Sequence, residues 1–239
     1  MGNPVSAISR KLLYGYKATS KSYIDHLRKI GTEIGQDVYI YNPDVTHIDE
    51  TDPHLLTIGN HVRITGPVTI LTHDCSWSVI KHKYGEICGK QRAVTIGDGV
   101  FVGWGATILC GTTVGDHTII GAQAVVSGRV DSDSVYAGNP AKKIMTLDEF
   151  YAKRKERQFA EAVAYANAYY ARFGKEVPAE KLDEYFFLFA SRGDSEPYRY
   201  KMGLMGNETR TLEMLDATQS QFDSFESFLA YCKSRRQSS

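Results

Sequence analysis

Aliphatic side chains return at every sixth position through the middle of the chain. The run comprises Ile96, Val102, Ile108, Val114, Ile120 and Val126. Glycine often follows the aliphatic residue, and the fifth position of each unit is small or β-branched, as at Ala106, Thr112 and Val130. An α-helix needs a period near ~3.6 residues and an amphipathic strand a period of about 2, so neither fits. The pattern predicts a solenoid in which each hexad supplies one short strand and one corner, and its aliphatic residue joins a continuous core.

The same spacing appears earlier in the chain and is then interrupted. Its earlier members are Ile34, Ile40, Ile58, Ile64 and Ile70. The next aliphatic residue of the series after Ile70 is Ile96, 26 positions on, and this is not a multiple of six. We therefore expect a loop between about residues 75 and 92 to project from the solenoid.

The segments on either side of the repeat predict helices. Ser20 to Gly31 places its apolar residues on one face, and Thr146 to Glu149 is a capping box that opens a helix running towards Gly174. A further helix is expected to begin at Pro178 and to run through Phe186, Phe187 and Phe189. The last one begins at 223–226, with an apolar stripe of Phe225, Phe228, Leu229 and Cys232.

Composition and charge limit the classes of function. The chain has 28 basic and 28 acidic side chains, so no net field recruits nucleic acid or an anionic membrane. No apolar run is long enough to cross a bilayer and no signal peptide is evident, which predicts a cytoplasmic protein. The four cysteines show no metal-binding spacing and are expected to be free thiols.

Two stretches of the sequence resemble a known family. The segment IGDGVFVGWGATILCGTTVGDHTIIGAQAVVSGRV and the AGNPAKKI that follows it are similar to the hexapeptide-repeat acyltransferases, particularly the maltose, galactoside and capsular polysaccharide O-acetyltransferases. The resemblance implies a left-handed parallel β-helix with three hexads per turn. It also implies a homotrimer with active sites between subunits, acetyl-CoA as the acyl donor, a carbohydrate acceptor and no metal.

We therefore predict an all-β core with helical additions at both ends. Residues 1–33 are expected to form an N-terminal helical segment. Residues 34–144 are expected to form the left-handed β-helix of hexapeptide repeats, and residues 145–239 a C-terminal α-helical extension.

A histidine stands directly before the projecting loop. His73 is the fourth residue of the hexad opened by Ile70, which places it at a corner and outside the aliphatic core. Transfer of an acetyl group to a hydroxyl needs a base, and a histidine suits that task near neutral pH. In the resembled family a histidine at this place is the catalytic base. His61 and His117 occupy the same hexad position without a neighbouring loop, and a plain corner histidine is the competing interpretation of His73.

The resemblance also extends to two residues upstream of His73. It implies that Asn42 donates a hydrogen bond to the oxyanion of the intermediate and that Asp49 accepts a hydrogen bond from the acceptor hydroxyl. Asn42-Pro43 is equally a turn signal, and residues 43–53 depart from the repeat, so a purely structural interpretation of both residues stays open.

Acceptor recognition is expected in and beside the loop. Aromatic faces bind sugar rings and cations bind acidic groups, and the loop carries both kinds of side chain. The expected acceptor-binding residues are Asp74, Trp77, Lys81, His82 and Tyr84.

The last coils resemble the family's groove for coenzyme A. The residues implied to contact the pantetheine arm are Gly103, Trp104, Ala122 and Ser127, and Lys142 and Lys143 are implied to pair with the phosphates. Trp104 departs from the family pattern, because relatives carry a small residue there. An indole at this place either stacks on the acceptor or narrows the donor channel.

Three other functions remain open from the sequence. A zinc enzyme on the same scaffold would need converging histidines, and His47, His54 and His61 recur every seven residues, out of phase with the hexads. A non-catalytic scaffold is the second alternative. The third is an N-acetyltransferase of an amino sugar nucleotide, which would use the same donor and base. The sequence favours an O-acetyltransferase acting on a surface polysaccharide or its precursor.

Overall fold

The computed structural model describes residues 4–237, and from Glu33 onwards its chain winds into coils. The short strands of successive coils stack into three sheets, one on each face. Sheet A contains β1 (Glu33–Ile34), β4 (Leu56–Ile58), β9 (Val94–Ile96), β12 (Thr113–Val114) and β15 (Arg129–Val130). Sheet B contains β2 (Tyr39–Ile40), β5 (Arg63–Ile64), β10 (Phe101–Val102), β13 (Ile119–Ile120), β16 (Ser134–Ala137) and the antiparallel β17 (Lys142–Thr146). Sheet C contains β3 (His47–Ile48), β6 (Thr69–Ile70), β11 (Thr107–Ile108) and β14 (Val125–Val126). The predicted all-β core, a left-handed parallel β-helix of hexapeptide repeats, is confirmed.

The aliphatic residue of each hexad points into the coil and lies beside its counterpart one coil away. Ile58 pairs with Ile96 in sheet A, and Ile70 pairs with Ile108 in sheet C. These four side chains are at most 1% exposed. Burying one such side chain stabilises a fold by about 1.5–3 kcal/mol, so these stacks of aliphatic side chains stabilise the solenoid.

The final coil is shorter than the repeat predicts. The sequence places Val130 at the fifth position of its unit, but the structure pairs it with Val114, which is a first position. Only Ser127 and Gly128 separate β14 from β15, whereas 109–112 separate β11 from β12. Since Val130 is 2% exposed, the shorter corner still delivers an aliphatic side chain to the core.

The N-terminal helices belong to the same core as the coils. α1 (Pro4–Tyr14) is followed by a 3₁₀ turn (Gly15–Ala18) and α2 (Ser20–Ile30). The start of α2 is capped by Thr19, and Gly31, with φ 115°, ends it. The predicted apolar face of α2 is buried against the first coil. There Ser20 Oγ and Tyr23 Oη accept hydrogen bonds from backbone N–H groups of the first coil, at 2.9 and 3.3 Å. The helix therefore covers a strand edge that would otherwise be open.

The projecting segment is a hairpin that carries a helix. β7 (His73–Asp74) pairs antiparallel with β8 (Lys90–Gln91), and α3 (Trp77–Tyr84) lies between them. No residue of α3 is buried within the chain. The hairpin leaves sheet C and returns to sheet A at β9, which restores the interrupted repeat.

The chain divides into two compact units, and the second begins at Tyr151. α4 (Leu147–Phe173) opens with the predicted capping box, in which Glu149 N donates to Thr146 Oγ1 at 3.2 Å and Thr146 N donates to Glu149 Oε2 at 2.7 Å. The second unit also contains α5 (Arg199–Met205), α6 (Glu208–Ala217) and α7 (Phe225–Gln237). Phe228 and Cys232, from the predicted stripe of the last helix, are fully buried in its core.

The prediction of a helix beginning at Pro178 is wrong. This segment forms two isolated 3₁₀ turns, Ala179–Lys181 and Phe186–Leu188. Leu188 and Phe189 are adjacent and both at most 4% exposed, and adjacent residues do not share one face of an α-helix. The side chains pack on several sides of the chain, which a regular amphipathic helix does not permit.

Among residues 4–237, no helix combines the length and the apolarity that crossing a bilayer requires.

Candidate active site

His73 leaves the solenoid at the corner between sheets C and A, which we call the C–A corner. Ile70 and Thr72 are fully buried there, and the next residue, His73, begins the strand of the hairpin. His61 and His117 differ, because they lie in the left-handed backbone region, with φ of 57° and 51°, at plain turns. Of these three histidines, the hairpin gives only His73 an extended backbone and a strand partner.

Asp49 holds His73 from the coil below. Its Oδ2 atom lies 2.6 Å from His73 Nδ1 and accepts hydrogen bonds from Thr72 N at 2.9 Å and Thr72 Oγ1 at 2.8 Å. Its Oδ1 atom accepts from Thr51 N at 2.9 Å. The Asp49 side chain is only 3% exposed, so these contacts fix the carboxylate and, through it, the imidazole ring.

The electrostatics of this pair determine which histidine nitrogen is free. Burial opposes the charged form of Asp49, but the hydrogen bonds from Thr51, Thr72 and His73 outweigh it and hold the pKa of Asp49 well below its ordinary value. An ionised carboxylate only accepts hydrogen bonds, so the His73 nitrogen that faces it carries the proton. In the neutral ring, His73 Nε2 is therefore left unprotonated.

The imidazole of His73 stands where three clefts meet, and its side chain is 31% exposed. The first cleft, of about 360 Å³, lies under the hairpin and includes Asp74 and Trp77. The second, of about 320 Å³, runs along the C–A corner past Leu71 and Leu109. The third, of about 350 Å³, includes Tyr16 and Glu50. An imidazole at this junction is accessible to ligands from more than one direction.

Of the five residues of the hairpin that were predicted to bind the acceptor, two line a cleft at His73 and three do not. Asp74 and Trp77 line the cleft under the hairpin together with His73. Hydrogen bonds from Ser76 and from Lys90 lower the pKa of Asp74 to about 2, so this carboxyl is ionised beside His73. Lys81, His82 and Tyr84 are exposed on α3 and line none of the three clefts at His73.

Asp49 has different partners from those predicted. The sequence assigned it to the acceptor hydroxyl, but both of its oxygens are occupied by protein donors and its side chain is buried. The carboxylate contacts the imidazole of His73, and only 3% of its side chain is accessible to a ligand, so binding of the acceptor hydroxyl by Asp49 stays a prediction. Thr51 and Thr72, which complete this arrangement, carried no sequence signal of their own.

The residues predicted for the oxyanion and the pantetheine arm lie at a different corner. Asn42, Gly103, Trp104 and Ala122 follow strands of sheet B and form part of the corner between sheets B and C, the B–C corner. Within one chain, these residues lie on a different edge of the solenoid from His73. Ser127 differs, because it follows sheet C and lies one coil from Leu109 at the C–A corner.

Trp104 is a large exposed side chain at the B–C corner. It is 52% exposed and follows Gly103, while Gly66 and Ala122 occupy the equivalent positions of the coils below and above. Trp104 therefore offers an accessible indole between two small residues of the neighbouring coils.

The two lysines predicted to bind phosphates lie on β17. Lys142 and Lys143 are both exposed. Lys143 Nζ lies 3.2 Å from Asp131 Oδ2, so part of its charge is already balanced. Lys142 is paired in the sheet with Ala137, next to the last B–C corner.

Gly103 packs coil against coil, apart from any role in donor binding. A β-carbon at this position would lie 2.6 Å from Ala122 N and 2.7 Å from Ile120 O, both backbone atoms. We expect Gly103→Ala to lower the free energy of unfolding by about 1–3 kcal/mol. Gly121→Ala is the matched comparison and should cost less, because the atom met there at 2.9 Å is the Ala137 β-carbon. Urea unfolding of both variants tests this, and an unchanged stability of Gly103→Ala would contradict the packing role.

The three histidines weighed as zinc ligands do not come together. His47 lies on β3, His54 in a 3₁₀ turn (Pro53–Leu55), and His61 in a corner beside Asp37. Within residues 4–237, no cluster of three or more histidine, cysteine, aspartate or glutamate side chains is arranged to hold a metal ion.

Comparison with known proteins identifies the repeat. Residues 93–128 match the family model of the bacterial transferase hexapeptide (six repeats). Protein CapG of Staphylococcus aureus is 37% identical over 129 residues, which cover 54% of this chain and 74% of CapG. The chain belongs to the hexapeptide-repeat acyltransferases. The matched repeats begin directly after the hairpin that carries His73.

Two further relatives of this hexapeptide-repeat acyltransferase are a galactoside O-acetyltransferase and an acetyltransferase solved with its acyl donor. The galactoside O-acetyltransferase of Escherichia coli is 30% identical over 116 residues, covering 48% of this chain and 54% of the relative. A hexapeptide-repeat acetyltransferase of Vibrio cholerae, solved with acetyl coenzyme A, is 19% identical with a TM-score of 0.40, covering 60% of this chain and 86% of that one. The chain therefore spans only about half of the galactoside enzyme.

Proposed function

We propose that this chain is an acetyl-CoA-dependent O-acetyltransferase that acylates a hydroxyl of a sugar, with His73 as the general base. The observation that carries the proposal is the 2.6 Å contact between Asp49 and His73 Nδ1, which leaves Nε2 unprotonated at the junction of three clefts. The similarity to a galactoside O-acetyltransferase, which covers 48% of this chain, supports both the choice of an acetyl group and the choice of a sugar acceptor. A surface polysaccharide or its precursor is the acceptor that we favour.

The reaction follows from the position of the free nitrogen. His73 Nε2 removes the proton of the acceptor hydroxyl while the hydroxyl oxygen bonds to the carbonyl carbon of the thioester. The carbon–sulfur bond then breaks, and the imidazolium returns the proton to the departing thiolate. Asp49 stays ionised throughout and stabilises the positive charge that His73 carries between the two steps.

The cleft along the C–A corner suits the donor. Leu71 and Leu109 line it and are half-buried, and the corner continues to Ser127. An acyl-bearing pantetheine arm is largely apolar and would follow these side chains to His73. In this proposal the hairpin side of His73, including the base of the hairpin, and the cleft beside Tyr16 remain for the acceptor.

A trimer would complete the site. Asn42 and Trp104 lie at the B–C corner, so they would reach the donor only if this corner of one protomer faces the C–A corner of the next. A closed ring of three protomers repeats the same contact three times and leaves no open interface. Light scattering should give three times the chain mass of 26.7 kDa. A monomer at assay concentrations would remove Asn42 from the proposed oxyanion site.

The function itself is tested by a transfer assay. The protein is incubated with acetyl-CoA and a panel of neutral, anionic and amino sugars, and products are detected by mass. We expect an acetylated sugar whose acetyl group is released by hydroxylamine, which cleaves esters and leaves amides intact. A stable amide on an amino sugar would favour the N-acetyltransferase instead, and no transfer to any sugar would contradict the proposal.

A further inference from the structure

An arginine at the base of the hairpin has no acidic partner in the part of the chain that the structure describes. Arg92 follows β8, and its backbone N–H donates to Thr72 O at 2.9 Å, which closes the base of the hairpin. Among residues 4–237, no carboxylate lies within ion-pair distance of its guanidinium. Arg10 and Arg63, in the same unit, both contact aspartates, at 3.8 and 2.9 Å.

The guanidinium of Arg92 is seated on a glycine. A β-carbon built on Gly111 would lie 2.7 Å from both Cζ and Nε of Arg92, so the planar group rests directly on the Gly111 backbone. Gly111 has φ 81°, a conformation that favours glycine and keeps this seat free of a side chain. Gly111 lies one coil, or about 4.8 Å, from the position of His73 along the corner. The residue before it, Cys110, lines the same cleft as His73. This contact places the cation of Arg92 at the base of the hairpin that carries His73.

The whole hairpin is basic, although the chain is neutral. Residues 73–92 contain four basic residues, Lys81, Lys83, Lys90 and Arg92, against two acids, Asp74 and Glu86. Asp74 contacts Lys90 at 3.2 Å and offsets that charge, while Arg92 and the two lysines of α3 remain. A local excess of positive charge in a chain with 28 charges of each sign indicates an anionic ligand at this place.

We propose that the acceptor is an anionic sugar and that Arg92 binds its carboxylate or phosphate. This inference rests on the proposed transferase function and adds the chemical class of its acceptor. A guanidinium presents paired N–H donors that match the two oxygens of either group, and the neighbouring cations raise the local concentration of anions. Arg92 therefore selects the acceptor and takes no part in the proton transfer at His73.

The test compares matched sugars with three variants. Acetyl transfer and direct binding are measured for glucose, glucuronate and UDP-glucose, followed by the galactose series. Arg92→Gln should lower kcat/KM and binding for the anionic sugars by about 10–100-fold, leave the neutral sugar unchanged and leave the KM for acetyl-CoA unchanged. Arg92→Lys should retain part of the preference for anionic sugars, because lysine keeps the positive charge but lacks the paired N–H donors of the guanidinium. Lys29→Gln, which removes an exposed charge from the end of α2, should behave as wild type.

The outcomes separate this inference from the function on which it rests. A preference for glucuronate alone identifies a carboxylate, and a preference for UDP-glucose alone identifies a phosphate. Equal use of neutral and anionic sugars, or a raised KM for acetyl-CoA in Arg92→Gln, would overturn the inference and leave the transferase intact. Anion binding that depends on Arg92 without any acetyl transfer would instead contradict the proposed function. Loss of the anion preference above ~0.3 M salt is the further expected sign of a charge-based contact.

Discussion

Replacing His73 with alanine should lower kcat/KM by about 10²–10⁴-fold, the usual effect of losing a general base. The ring of His73 is the only part of the proposed mechanism that removes the hydroxyl proton, and His73 lines the clefts. The variant should still bind acetyl-CoA, because the donor contacts proposed along the C–A corner do not involve the imidazole. Steady-state transfer rates and a separate measurement of acetyl-CoA binding check both parts.

His117→Ala provides the matched control. His117 has the same position in its hexad, is 63% exposed, and lies 3.5 Å from an aspartate, but it lies at a plain turn. Its loss should leave the transfer rate unchanged. Near-normal activity of His73→Ala, or an equal fall in both variants, would remove His73 as the base.

Replacing Asp49 with asparagine is the second large effect that we expect. The amide keeps the size of the side chain, but it loses the charge that fixes the proton on His73 Nδ1 and that stabilises the imidazolium. The rate should fall by about 10–100-fold, the usual effect of removing a group that orients a functional histidine. The free energy of unfolding should also fall, by about 1–3 kcal/mol, because the buried carboxylate accepts hydrogen bonds from three residues.

Asp133→Asn is the control for this substitution. Asp133 also faces a histidine, but its side chain is 70% exposed and the contact with His117 is 3.5 Å long. Solvent-exposed pairs of this kind contribute little, so neither the rate nor the stability should change measurably. Equal effects of the two substitutions would argue against a special role of Asp49.

The stabilisation by Asp49 should depend on pH in a defined direction. The pKa of Asp49 in the folded chain lies well below its ordinary value, so the carboxylate stabilises the fold at pH values above that ordinary value, near ~3.9. This contribution is lost as the pH falls towards the lower pKa of the folded state. The difference in unfolding free energy between wild type and Asp49→Asn should therefore shrink as the pH is lowered from about 7 to about 3. A difference that grows on acidification would contradict the structure.

The solenoid was predictable because its signal is local and periodic. Ile96, Val102 and Ile108 alone reveal the repeat. The interval of 26 positions between Ile70 and Ile96, which is not a multiple of six, reveals the projecting segment. The position of His73 outside the core follows from its place in the hexad. The shortened last corner was not predictable, because the aliphatic residue at 130 fits two positions of the repeat equally well.

The partners of His73 were harder to predict. Asp49 lies 24 residues before His73, and the irregular segment between Pro43 and Pro53 hides the fact that the two residues lie on neighbouring coils. Tyr16 reaches the same region through the fold of the N-terminal helices, which no spacing in the sequence encodes. Likewise, the seat of Arg92 on Gly111 depends on how the hairpin returns to the solenoid.

The tautomer of His73 is the most direct test of the proposed mechanism. Nitrogen NMR of ¹⁵N-histidine-labelled protein, with His73→Gln used to assign the signal, reports which ring nitrogen is protonated in the neutral imidazole. Hydrogen bonding to Asp49 predicts a proton on Nδ1 and a free Nε2, and Asp49→Asn should disturb this state. A proton on Nε2 in the wild-type protein would leave no base facing the acceptor and would contradict the mechanism.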